Sequence, residues 1–142
     1  MVCADVMKQD VTCISPHAPV SAAASRMREK NVGFLPVCDE MSGQRVLGIV
    51  TDRDIALRVV GEERPSNVPV DEIMSHDVVS CGPMDDIRRA EQLMGEHRKS
   101  RIVCVDDEGQ LVGVISLSDI AQRDGARIAL TIQQITTREV RG

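Results

Sequence analysis

Two stretches of the chain place a hydroxyl three residues ahead of an acid. They are LGIVTDRDIA (47–56), with Thr51 and Asp54, and VGVISLSDIA (112–121), with Ser116 and Asp119. Each follows an apolar run and precedes a helical pattern. At such a junction the hydroxyl accepts the N–H three residues on, and the acid accepts the N–H of the hydroxyl residue. An acid in a first helical turn is also favoured by the helix dipole. That capping box is one reading. The second uses the same geometry: a carboxylate fixed at the C-terminal end of a strand can accept from the cis-diol of a ribose, as the acid of dinucleotide-binding folds does. The hydroxyl can bond sugar or phosphate, and Gly48 and Gly113 would admit close backbone approach. The readings are compatible, because capping positions the acid.

Other chemistry is weaker. The cysteines are Cys3, Cys13, Cys38, Cys81 and Cys104, with no C-x-x-C pair. All but Cys3 lie in apolar, strand-like runs and read as reduced, buried small hydrophobes; a redox or metal role is the alternative. His17, His76 and His97 are scattered without metal-ligand spacing, so no metal site is expected. GQRVLG (43–48) has P-loop glycine spacing, but Ile49 and Val50 follow where Lys and Ser/Thr are required. With no G-x-S-x-G and no compelling carboxylate pair, the expectation is a protein that is not an enzyme.

Composition narrows the partners. The net charge is −5, with no Trp or Tyr and one Phe, so neither a basic footprint nor aromatic stacking platforms point to nucleic acid. No apolar run approaches the roughly 20 residues that span a bilayer, so no membrane association is expected. The N-terminus, MVCADVMKQD, lacks an apolar h-region. A cytoplasmic location is expected.

The elements that must position the two acids come in duplicate. An offset of 67 places Met7 on Met74, Asp10 on Asp77, Pro16 on Pro83, Ala23 on Ala90 and Met27 on Met94. After Asp39 and Asp106 the offset falls to 65, because DEMSGQRVLG holds two residues more than DDEGQLVG. Such insertions are tolerated in turns. Each copy opens on a short apolar run, VTCI (11–14) or VVSC (78–81), ended by Pro16 or Pro83. A helix follows, with Val20, Ala23, Ala24 and Met27 or Ile87, Ala90, Leu93 and Met94 at i, i+3/4, i+7 spacing. A strand pair joined by a Gly-containing turn reads as a hairpin, and a second helix starts at Thr51 or Ser116. The predicted fold is α+β: two tandem β-α-β-β-α repeats packed as a pseudo-twofold module, plus a C-terminal helix. The predicted divisions are 1–66 for repeat 1 with the start of a linker, 67–123 for repeat 2, and 124–142 for a helical tail whose sticky face carries Ile128, Ile132 and Ile135.

Two such copies, each ending G-h-h-[ST]-x-x-D, resemble a tandem of cystathionine β-synthase (CBS) domains, a Bateman module. DVMKQDVTCISP, EIMSHDVVSCGP and NVGFLPVCD support the likeness, which covers roughly residues 3–123. With no catalytic domain attached, the chain resembles the stand-alone bacterial CBS-pair proteins. The resemblance implies a non-enzymatic sensor in signal transduction, a homodimer, and an adenosine nucleotide in the cleft between copies. AMP, ADP, ATP, NAD or S-adenosylmethionine are the candidates, with AMP foremost. It implies a better site in which Ser116 and Asp119 hold the ribose. Ser15, Val20, Val32, Gly33 and Phe34 surround the base there, and Ser100 and Arg101 contact phosphate, with Arg53 reaching across. An arginine there forms charge-assisted bonds. The second site pairs Thr51 and Asp54 with Gly82, Ile87, Lys99, Ser100 and Arg101, while its phosphate-facing positions, Gly33 and Phe34, carry no charge. Phe34 departs from the small residue many relatives have; it stacks on adenine, narrows the pocket, or is a core residue. HRKSR (97–101) reads either as phosphate contact or as a solvated basic helix end. The alternative function is a scaffold with vestigial nucleotide sites, bound to a regulated protein that the sequence does not identify.

Overall fold

The computed structural model describes residues 1–123 and 131–136. They form two compact units. The copy-one unit is Thr12–Val78, and the copy-two unit is Met1–Val11 with the chain from Val79 onward.

In the copy-one unit, Pro19 precedes helix α1 (Val20–Lys30). Its apolar stripe buries Val20, Ala23 and Met27. The helix stops at Asn31, which adopts a left-handed φ of 54°, a conformation that Asn tolerates better than most residues. Strands β1 (Phe34–Asp39) and β2 (Arg45–Thr51) form the predicted hairpin, with Phe34 opposite Thr51. Asp39 holds the turn by accepting the Met41 N–H at 3.0 Å, and Gly43 takes a φ of 82°. The expected opening strand VTCI contracts to one parallel bridge between Ile14 and Val37. The Ile14 N–H donates to Pro36 O and the Cys38 N–H to Ile14 O, both at 3.0 Å. Pro36 has no N–H to lend to a longer ladder, and Pro16 soon ends the run. Helix α2 (Asp52–Ile55) continues as a π-turn over Ala56–Val60.

The copy-two unit repeats this pattern with a fuller sheet. Strand β3 (Ser80–Cys81) runs parallel to β4 (Arg101–Val105), which pairs antiparallel with β5 (Leu111–Ser116). Helix α3 (Ile87–His97) starts at Asp86, whose carboxylate accepts the Arg88 N–H at 2.9 Å, and buries Ile87, Ala90, Leu93 and Met94. It ends at Arg98 with a φ of 56°. Helix α4 (Leu117–Ala121) closes the repeat. Of the expected C-terminal helix, residues 131–136 are helical, and Ile128 lies outside the described residues. Ile135 is buried while Ile132 is 45% exposed, so Ile132 does not belong to the buried face. Thr131 donates to Glu91 Oε1 at 3.4 Å, and the Gln134 amide occupies the space a side chain at Gly95 would need.

The compact bodies do not follow the repeat boundaries at 1–66 and 67–123. Each takes the segment that precedes the other copy. Residues 1–11 fold onto copy two: the Cys3 N–H donates to Asp85 O, and Lys8 exchanges two 2.9 Å bonds with Val114. The segment ahead of copy two folds onto copy one, where Val70, Ile73 and Met74 enter the core and Ser75 pairs with Ile49. The physical reason is an edge. In each hairpin the strand that carries the site, β2 or β5, has one side unpaired, and the incoming segment covers it.

Candidate functional site

Both hydroxyl–acid pairs are capping boxes. In the copy-two unit the Asp119 N–H donates to Ser116 Oγ at 3.2 Å, and the Ser116 N–H donates to Asp119 Oδ2 at 3.0 Å. In the copy-one unit the Asp54 N–H donates to Thr51 Oγ1 at 3.1 Å, and the Thr51 N–H donates to Asp54 Oδ2 at 3.0 Å. Each cap consumes one acceptor position on one carboxylate oxygen. A carboxylate has about four lone-pair sites, so both acids keep capacity for a hydroxyl donor. Ser116 is buried, and its hydroxyl shares a 2.9 Å hydrogen bond with Ser118. Asp54 Oδ1 lies 4.0 Å from Arg58 Nε; among the described residues no ion pair to Asp119 is present.

The strand opposite each hydroxyl sets the local charge. Arg101 stands in register against Ser116, and Phe34 stands in register against Thr51. The copy-two unit thus places a guanidinium-bearing residue beside its hydroxyl, with Ser100 before it. The Leu117 N–H donates to Ser100 O at 2.8 Å, so a neutral side chain follows Ser116. The matching bond in copy one runs from the Asp52 N–H to Gly33 O at 3.0 Å, and there an acid follows Thr51. A Cβ on Gly33 would stand 2.5 Å from Asp52 Oδ2. The Asp52 carboxylate therefore lies over Gly33, one of the two positions expected to face phosphate in copy one. Its position was visible in TDRD, but the contact with Gly33 depends on the hairpin.

The remaining candidates fall within one unit or the other. In the copy-one unit Val20 is buried in the core, Val32 is 38% exposed, and Phe34 is half-buried outside the core cluster. Ser15 Oγ accepts the His17 N–H at 3.2 Å, and Arg53 is exposed. In the copy-two unit Gly82 donates its N–H to Asp85 Oδ2 at 2.7 Å, Ile87 is buried in the core, and Lys99 is half-buried.

Gly48 and Gly113 admit the close approach of the chain's own segments. A Cβ on Gly48 would stand 2.7 Å from both Met74 Sδ and Ser75 O; one on Gly113 would stand 2.7 Å from Met7 Sδ and 2.9 Å from Lys8 O. The close approach is made by the chain's own exchanged segment. Sequence reasoning also missed the pairing of the cysteines. Cys13 and Cys38 approach to 2.6 Å and Cys81 and Cys104 to 3.2 Å between sulfurs, although 25 and 23 residues separate them.

A hairpin with one helix ahead of it and a capped helix behind it, repeated in tandem, defines a two-repeat α+β module. The CBS domain family matches residues 3–61 and 70–125, and the chain belongs to that family. It is 42% identical over 118 residues to the CBS domain-containing protein YhcV of Bacillus subtilis, covering 82% of this chain and 81% of that one. The crystal structure of Hypoxic Response Protein I with two coordinated zinc ions is similar at 30% identity and a TM-score of 0.77, over 87% of this chain and 98% of that chain. A CBS domain protein from Pyrobaculum aerophilum complexed with AMP shares the fold with a TM-score of 0.81 at 22% identity, over 93% and 99% of the two chains.

Proposed function

We propose that the chain is a non-enzymatic regulatory module that binds an adenosine nucleotide, AMP foremost, with Ser116 and Asp119 holding the ribose. The observation that carries this reading is the register of Arg101 against Ser116 beside a capped acid. The cap fixes the Asp119 carboxylate without exhausting it, so ribose hydroxyls have an acceptor already in place. Arg101 and Ser100 supply donors for phosphate, and charge-assisted bonds of this kind are the strong ones. The AMP complex of the Pyrobaculum protein supports the ligand class. The copy-one pair, Thr51 and Asp54, is the poorer candidate for an anionic ligand, because Asp52 adds a negative charge over Gly33. A homodimer is part of the same reading, and light scattering measures it.

Calorimetry with AMP, ADP, ATP, NAD and S-adenosylmethionine tests the proposal on the wild-type chain, Asp54→Ala and Asp119→Ala. A hydrogen bond to a charged group contributes about 1.5–3 kcal/mol. Asp119→Ala is therefore expected to weaken binding roughly ten- to a hundredfold, and Asp54→Ala far less. The absence of binding heat with every ligand at millimolar concentration would return the chain to the scaffold reading. A larger loss in Asp54→Ala would transfer the site to copy one.

A further inference from the structure

The repeat does not account for the thiol pairs. Cys81 and Cys104 are paired across β3 and β4, and the offset of 67 maps them onto Ile14 and Val37, the parallel bridge of copy one. Cys13 and Cys38 flank that bridge, on the side opposite the apolar pair in the alternation of each strand. The two copies thus carry sulfur at different positions of the same parallel junction.

Their surroundings differ as much as their positions. Cys81 and Cys104 are buried, and Cys3 joins them in one apolar core cluster. Cys81 Sγ also donates to Val103 O at 3.8 Å. These thiols are shut away from solutes. Cys38 is equally buried, at 1% exposure, but Cys13 is half-buried and gives the copy-one pair a route to solvent. Arg26 donates to Cys13 O at 2.9 Å, and its lowering effect on the thiol is smaller than the opposing effect of the Glu40 carboxylate. At 2.6 Å the two sulfurs are close enough for an S–S bond to form with little movement. Two adjacent thiols, one of them within reach of solvent, can act as a dithiol.

We propose that Cys13 and Cys38 form a peroxide-oxidised dithiol, with Cys13 as the attacking sulfur and Cys38 as the resolving one. The Cys38 thiol donates a hydrogen bond to Cys13, which outweighs burial and holds the Cys13 thiol below its ordinary pKa; the same bond, then burial, pushes Cys38 up. A thiolate at the more accessible sulfur is the nucleophilic form. The Cys13 sulfur attacks one oxygen of hydrogen peroxide, the O–O bond breaks, and the departing hydroxide takes a proton to become water. Cys13 is then a sulfenic acid. The Cys38 sulfur attacks it, the S–O bond breaks, and the released hydroxide takes the Cys38 proton as a second water. Two thiols and one peroxide give one disulfide and two waters, and a dithiol reductant reverses the change. The bond would tie the segment ahead of α1 to β1, where the single Ile14 bridge now holds it.

The test is peptide mapping of the reduced, folded full-length chain after exposure to stoichiometric hydrogen peroxide, with remaining thiols alkylated. The expected product is one disulfide joining Cys13 to Cys38, with Cys3, Cys81 and Cys104 recovered as alkylated thiols. The thermal midpoint should rise on oxidation and fall back with dithiothreitol. In Cys38→Ser, Cys13 should be recovered as a sulfenic acid trapped by dimedone. Recovery of Cys13 and Cys38 both alkylated, or a first disulfide between Cys81 and Cys104, would overturn the proposal; the wild-type map decides this even if the variant fails to fold.

Discussion

The two copies build the same helix start and surround it with opposite charge. In copy two, Ser116 is flanked by Leu117 in sequence and by Arg101 across the hairpin; in copy one, Thr51 is flanked by Asp52 and Phe34. The caps match to within 0.1 Å in each bond, 3.0 and 3.2 Å against 3.0 and 3.1 Å. The duplicated acid is therefore a structural constant. What differs is the charge a phosphate would meet, and that is set by the residue after the hydroxyl and the residue opposite it.

The sharpest way to break the likeness of the copies is at their glycines. Gly48→Ala and Gly113→Ala each drive a Cβ against backbone oxygen of the exchanged segment. Each should cost about 1–3 kcal/mol by overpacking, read in urea denaturation. If either glycine instead served only ligand approach, stability would be unchanged. Next in size is the charge difference. Arg101→Ala should weaken AMP binding about tenfold or more, while Phe34→Ala should not match that loss in calorimetry. Equal losses would dissolve the distinction between the sites.

The caps themselves should behave alike. Thr51→Ala and Ser116→Ala are each expected to lose about 1 kcal/mol, measured by chemical denaturation. A difference well beyond that would mean that the Ser118 bond to Ser116 matters to folding. The smallest effect concerns the ends of α1 and α3, where Asn31 and Arg98 share the left-handed conformation. Arg98→Gly should gain roughly 0.5–1 kcal/mol by relieving the cost of a branched Cα at positive φ. Asn31→Gly should gain less, and thermal unfolding of the pair compares them.

Much of this was legible before any coordinates. The repeat located both helices of each copy, both hairpins and both caps, because each is decided by residues a few positions apart: an apolar stripe, a Gly-containing turn, a hydroxyl three before an acid. The opening strand of copy one was legible only as an apolar run, and Pro36, on a strand more than 20 residues away in the chain, limits it to one bridge. The pairing of Gly48 with Ser75 and of Gly113 with Lys8 was not legible at all.

The sequence by itself determined the duplication, the element order, the position of both acids and their caps, since these rest on short-range periodicity and turn chemistry. Only the tertiary structure decided which segment covers which edge strand, why two glycines are needed, that the Asp52 carboxylate overlies Gly33, that Cys13 meets Cys38, and that Cys3, Cys81 and Cys104 gather in one core. Apart from the Asp52 contact, which lies at the open end of a hairpin, these are contacts between segments that no turn joins. Their register is set by core packing and edge pairing across the fold, and no local pattern of residues encodes it.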